Sequence, residues 1–145
     1  MKINLKLSLL ALLLGASVHA QASDSAMIGP DCAASHVCVT DSFRDIYAKI
    51  LPMAITPTIS LTDYTVNPDI SIASVLLTQT RAQLIEQRSD ETDLYSTLGQ
   101  YARQMTCGVS QSIEQLYLKT GGQIIWKYYF SDGEYFDSLA FSSCN

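Results

Sequence analysis

Gln123-Ile124-Ile125-Trp126-Lys127-Tyr128-Tyr129-Phe130, then Ser131-Asp132-Gly133, then Glu134-Tyr135-Phe136-Asp137-Ser138-Leu139-Ala140-Phe141, decides how this chain folds. Two runs rich in aromatic and β-branched residues flank Asp132-Gly133, the short-range signature of a type I′ hairpin. A two-residue loop sets Phe130 opposite Tyr135, Trp126 opposite Leu139 and Ile124 opposite Phe141. One face of that ribbon is then large and apolar, and a hairpin alone cannot keep it from water. The upstream chain must supply the cover.

Working back from Gly121-Gly122, which reads as a helix stop, the cover consists of helices. Ser110 is the expected cap of a short helix carrying Ile113, Leu116 and Tyr117. Before it, Ser89 or Asp90 opens a longer one in which Leu94, Leu98, Tyr101, Ala102 and Met105 form a single stripe, with Gly108 ending it beyond Cys107. The stretch from Arg81 to Arg88 suits either a strand extension or a helix. Pro57 to Val66 and Ile70 to Thr78, separated by Asn67-Pro68-Asp69, read as a second hairpin. Asp41 is the expected cap of a first helix with Phe43, Ile46, Tyr47, Ile50 and Leu51 at helical spacing, ended by Pro52. The predicted class is α+β: a mainly antiparallel four-stranded sheet made of two hairpins, with helices packed on one face and disulfides linking the parts.

The N-terminus reads as an export signal. Lys2 and Lys6 precede the apolar run from Leu7 to Leu14, and Val18-His19-Ala20 fits the small-residue cleavage pattern. Ser17 stands where a lipobox would carry its cysteine, so no lipid anchor is expected, and the apolar run is too short for a span of about 20 residues. The expected organisation is a signal peptide over 1–20, a flexible lead over 21–30 and one domain over 31–145, located in the periplasm or outside the cell. Removing Lys2 and Lys6 leaves seven basic residues against fourteen acidic ones, a formal charge of −7. That charge argues against nucleic acid or anionic lipid as a partner and permits a basic protein.

Cys32, Cys38, Cys107 and Cys144 all lie in the mature part, and an even count in a small exported chain argues for two disulfides. Three pairings are open. The expected one is Cys107–Cys144, fastening the last strand to the helical layer, with Cys32–Cys38 closing a small N-terminal loop.

Candidate chemistry is sparse. His36 is the histidine that outlasts export, and a nucleophile–base device would have to use it. Cys32, His36 and Cys38 lack the fourth ligand of a structural zinc site. The chain has no Cys-x-x-Cys, phosphate loop, nucleophile elbow or His-Glu-x-x-His. Asp132, Glu134 and Asp137 sit on the hairpin turn and its exposed side, where a solvated turn explains them. No catalytic residue, metal or cofactor is assigned. Alternation divides the aromatic residues: Ile124, Trp126, Phe130, Leu139 and Phe141 suit the core, whereas Tyr129 and Phe136 fall on the opposite face beside Lys127 and Glu134. These four are the candidate binding residues, because Tyr combines apolar area with a hydrogen-bonding tip and a two-layer fold leaves one sheet face open; the alternative is that the N-terminal helix covers this face.

A helix bearing Cys107, then Ser112-Ile113-Glu114-Gln115-Leu116, Tyr128-Tyr129-Phe130-Ser131-Asp132-Gly133 and a terminal Cys144, preceded by Asp63-Tyr64-Thr65, resembles small exported proteins of Gram-negative bacteria. Some of these are grouped as quorum-sensing-regulated virulence factors. The resemblance spans about residues 56–144 and implies helices on a sheet and export from the cell; it brings no catalytic residues. The expected role is non-enzymatic binding to an as yet unidentified protein partner, with a connection to virulence. A periplasmic immunity or inhibitor protein is the alternative and a small hydrolase the second alternative. Oligomeric state is open.

Overall fold

The computed structural model describes residues 28–145. The predicted signal peptide and most of the predicted lead lie outside the described residues. The elements run α1 (Pro30–Ala33), α2 (His36–Ile50), β1 (Met53–Thr56), β2 (Ile59–Thr65), β3 (Ile70–Leu77), α3 (Arg81–Glu86), α4 (Glu91–Cys107), α5 (Ile113–Lys119), β4 (Gln123–Tyr129) and β5 (Tyr135–Phe141). Among the described residues no helix is long and apolar enough to cross a membrane.

The sheet has five strands in the order β1-β2-β3-β4-β5. The two predicted hairpins are present, but the four-stranded expectation is corrected in two ways. Met53–Thr56, between Pro52 and Pro57, adds an edge strand paired antiparallel with β2. The hairpins join through a parallel pair, β3 with β4, in which Ala73 partners Trp126 and Val75 partners Tyr128. A parallel join needs a long crossover, and α3, α4 and α5 supply it.

Local chemistry explains the helices. Asp90 caps α4 by accepting the Thr92 N–H at 2.8 Å. Ser112, rather than Ser110, caps α5 through the Gln115 N–H. The ambiguous stretch after Thr80 is helical because Thr80 and Gln83 form a reciprocal capping box: Thr80 Oγ1 accepts from the Gln83 N–H at 3.2 Å and Gln83 Oε1 from the Thr80 N–H at 2.9 Å. The first long helix begins earlier than Asp41. Ser35 caps it, and Cys38 lies in its first turn.

Both expected disulfides form, Cys32–Cys38 and Cys107–Cys144, with Cα–Cα separations of 5.2 and 5.5 Å. The core lies between the sheet and one helical layer. Val39, Phe43 and Tyr47 of α2 descend on Tyr64, with Phe43 and Tyr64 ring centroids 4.9 Å apart. Leu98, Ala102 and Thr106 of α4 cover β4, and the Trp126 indole N–H donates to Thr106 Oγ1 at 2.9 Å. The turn between β4 and β5 also departs from expectation. Trp126 does face Leu139 and Ile124 does face Phe141, yet Tyr129 faces Tyr135. The loop has three residues: the Gly133 N–H donates to the Phe130 carbonyl, the Phe130 N–H to the Glu134 carbonyl, and positive φ occurs at Gly133 (86°) and not at Asp132. A type I′ turn needs positive φ at both central positions. The extra residue is taken up as a bulge at Phe136.

Candidate functional site

Sheet alternation sends Ile124, Trp126 and Tyr128 into the core and leaves Ile125, Lys127 and Tyr129 on the opposite face. The contacts that bring α2, α3 and α4 to the sheet are to core-side residues. Phe43 and Tyr47 meet Tyr64, Arg81 meets Phe130, and Tyr95 meets Tyr128. Among the described residues, no helix covers the other face.

Strand register defines that face as rows running across the sheet. Ser60, Leu76, Tyr129 and Tyr135 are successive partners. So are Asp63, Ser74, Lys127 and Ser138, and likewise Thr65, Ile72, Ile125 and Ala140. Two rows rich in apolar side chains therefore flank a polar one. Leu76 is 36% exposed, Ile70 41% and Tyr135 49%, and the Tyr129 and Tyr135 rings meet edge-on at 5.9 Å. Asp63 reaches this face through a bulge between Leu61 and Asp63, and its carboxylate accepts from the Thr65 hydroxyl at 3.0 Å.

The four candidate residues are thus divided. Lys127 and Tyr129 lie together on the open face. Phe136 does not join them, because its bulge turns the ring onto buried Phe130, with centroids 5.2 Å apart. The Glu134 side chain pairs with Arg81 at 3.2 Å, and the Arg81 guanidinium also lies 3.5 Å from Glu91 and over the Phe130 ring at 5.1 Å. These ion pairs are a third to a half exposed, so each contributes at most about 1 kcal/mol. They lie at an acidic end of the molecule, where Asp90 and Asp93 flank Glu91, Asp132 is two residues from Glu134, and Asp137 pairs with Tyr128 beside Tyr95 of α4. Sequence reasoning missed Asp63, Leu76 and Tyr135 as face residues. Their signal was the alternation within each strand, which has no meaning for a site until strand order is known.

The outer edge of β5 is guarded. The Ser138 N–H is bound by the Asp137 carboxylate at 2.8 Å, and the Ser138 carbonyl accepts from the Tyr95 hydroxyl at 3.1 Å. Neither group is free to template another strand, a usual protection of edge strands.

His36 is tied into the scaffold. Its Nε2 donates to the Pro68 carbonyl at 2.5 Å, its Nδ1 meets Thr120 Oγ1 at 2.8 Å, and its ring stacks on Tyr117. The Cys32 and Cys38 thiols are joined to each other, which removes them from any ligand set with His36.

Glu114 is the buried carboxyl. It lies in the first turn of α5 and accepts from the Tyr47 hydroxyl. Desolvation raises its pKa, outweighing the hydrogen bonds from Tyr47 and Ser112 that lower it. The same burial, with Glu114 nearby, raises Tyr47 and Tyr64 well above the usual phenol range. The native state therefore holds the Glu114 proton more tightly than the unfolded chain does. The corresponding stability is complete below the ordinary Glu value of 4.5 and is lost as pH rises through the raised native value. Glu114→Gln keeps an oxygen for Tyr47 and carries no charge. It is expected to flatten the decline in stability above pH 5 and to unfold at higher urea than the parent at pH 8. A midpoint at or below the parent's at pH 8 would refute this.

Two solved structures share the fold. One is a Pseudomonas aeruginosa protein inferred to be secreted, PA3611, with TM-score 0.50, 18% identity and coverage of 74% of this chain and 93% of that one. The other is EpsS, the pilotin of the Vibrio vulnificus type 2 secretion system, with TM-score 0.55, 12% identity and coverage of 76% and 91%. At these identities the likeness shows the fold alone. No protein-family model and no curated protein matches the chain.

Proposed function

We propose that this protein is an exported, non-enzymatic binding module that works through the uncovered face of its sheet. The observation that carries the reading is the apolar content of that face. An open antiparallel face is ordinarily polar, whereas this one presents Ile70, Ile72, Leu76, Ile125, Tyr129 and Tyr135, several of them well exposed. Contiguous exposed apolar surface of this kind marks interaction sites. Export is supported by the N-terminal signal pattern and by two disulfides, which persist in oxidising compartments. The resemblance around Tyr128 to Gly133 supports a role in virulence.

The acidic end favours a second reading. An immunity or inhibitor protein would present Asp132, Glu134, Asp137, Asp90 and Asp93 to a basic enzyme. The two readings separate in one binding experiment with residues 21–145, made as parent, Leu76→Arg and an Asp132→Asn/Asp137→Asn pair. On the proposed reading Leu76→Arg abolishes association at an unchanged circular-dichroism spectrum, and the pair has little effect. The reverse pattern would establish the acidic end as the contact and overturn the proposal.

A further inference from the structure

We infer that the partner of the uncovered face is a second copy of this chain, an inference that rests on reading that face as a binding surface. The face is complementary to itself. In the central polar row Asp63 lies on β2, Ser74 on β3 and Lys127 on β4, all in register. Adjacent strands are about 4.8 Å apart, so the acid and the base stand about equally far on either side of Ser74.

Two such faces can stack at the usual sheet separation of about 10 Å. A two-fold axis running along β3 between them then carries Asp63 of one copy over Lys127 of its partner, and Lys127 over Asp63. One operation satisfies two charge pairs, the isologous arrangement of a closed dimer. The same axis matches the flanking rows by size. Tyr129 on β4 falls over Ser60 on β2, and Tyr135 on β5 falls over Ala54 on β1. Leu76, Ile72 and Ile70, all on β3, lie along the axis and meet their own copies. Large residues thus oppose small ones on both sides of an aliphatic seam. Within a single copy neither Asp63 nor Lys127 takes an ion pair among the described residues.

The area is adequate for a modest dimer. Four strands of about 23–26 Å and the short β1 give a footprint of roughly 520 Å² per copy. A stacked pair therefore buries roughly 1,050 Å², at the threshold of specific association. The dimer is accordingly expected in a concentration-dependent equilibrium rather than as an obligate assembly.

The test is sedimentation equilibrium of residues 21–145 from about 1 µM to 1 mM, a range that brackets weak association. The parent chain is expected to pass from monomer to dimer. Lys127→Asp alone sets acid against acid twice, and Asp63→Lys alone sets base against base twice. Each should raise the dissociation constant at least about tenfold. An equimolar mixture of the two variants restores both pairs, so it should form a heterodimer although neither variant dimerises by itself. Both positions are on the surface, and circular dichroism verifies that each variant folds.

A parent that stays monomeric throughout, or a dimer indifferent to both charge reversals and to Leu76→Arg, overturns the inference. Its failure can be told from failure of the underlying reading. A monomeric parent that binds a different protein, and loses it on Leu76→Arg, keeps the face as a binding surface and removes only self-association.

Discussion

Trp126→Ala is expected to remove about 3–5 kcal/mol of folding stability, the range for deleting a large aromatic ring from a core. Trp126 is 1% exposed and sits where the helical layer meets the central parallel pair. Its strand partner on one side is Ala73, a residue small enough to leave room for an indole, and on the other side Leu139. Tyr64 meets the ring edge-on, with centroids 6.1 Å apart. A methyl group would leave a cavity bounded by β2, β4 and α4, and these elements cannot collapse together without breaking strand pairing. Trp126→Phe divides the effect. It retains most of the apolar volume and loses the bond to Thr106, which is itself fully buried, so about 1–2 kcal/mol is expected from it. Trp126 is the single tryptophan, so urea unfolding has to be followed by far-ultraviolet circular dichroism. A loss under about 1 kcal/mol for Trp126→Ala would mean that the ring is not in the core.

The distant ends of the last hairpin were legible and its turn was not, for a definite reason. Alternation over Ile124 to Tyr128 and Leu139 to Phe141 fixes which residues face inward, and the pairs Ile124–Phe141 and Trp126–Leu139 follow. Asp132-Gly133 signals a turn without stating its length. Adding one residue to the loop demands a bulge, and a bulge reverses the side on which Phe136 emerges. Phe136 thereby left the expected binding group for the edge of the core, and Glu134 turned to Arg81 at the surface. In the same way, each hairpin was visible locally, whereas the β3–β4 pairing links residues some fifty positions apart and leaves no mark in either strand. The row of Asp63, Ser74 and Lys127 exists only because of that pairing. Lys127 and Tyr129 could be found from one strand's alternation. Asp63 and Leu76 required the order of the whole sheet.

The same topology accounts for the open face. The helices between β3 and β4 form a single crossover, so they pass on one side of the sheet. That side is the one to which α2 also brings Phe43 and Tyr47. With both helical contributions there, the apolar residues on the reverse of β3 and β4 have no cover from the described chain. Their retention next to a balanced pair of charges is the physical basis for expecting a second surface to lie on them.

Removing the C-terminal disulfide, as Cys107→Ser with Cys144→Ser, is expected to cost roughly 3–4 kcal/mol, because the closed loop is long. Cys107 and Cys144 are separated by 37 residues, against 6 for Cys32 and Cys38. The chain-entropy relation gives roughly 2 kcal/mol for the shorter loop, so Cys32→Ser with Cys38→Ser should be the milder change. The location of the effect matters as much as its size. Cys107 is the last residue of α4, and Cys144 lies just beyond β5. β5 is an edge strand bonded on one side to β4, with Tyr95 and this disulfide as further ties to α4. Cutting the disulfide should therefore loosen β5 before the remainder of the sheet, and hydrogen exchange should report it. The amides of β5 are expected to lose protection by more than those of β2 and β3. Uniform loss across all five strands would mean that β5 and the central strands open as one unit. Equal cost for the two cysteine pairs would mean that packing around α1 and α2, and not loop length, sets what each disulfide contributes.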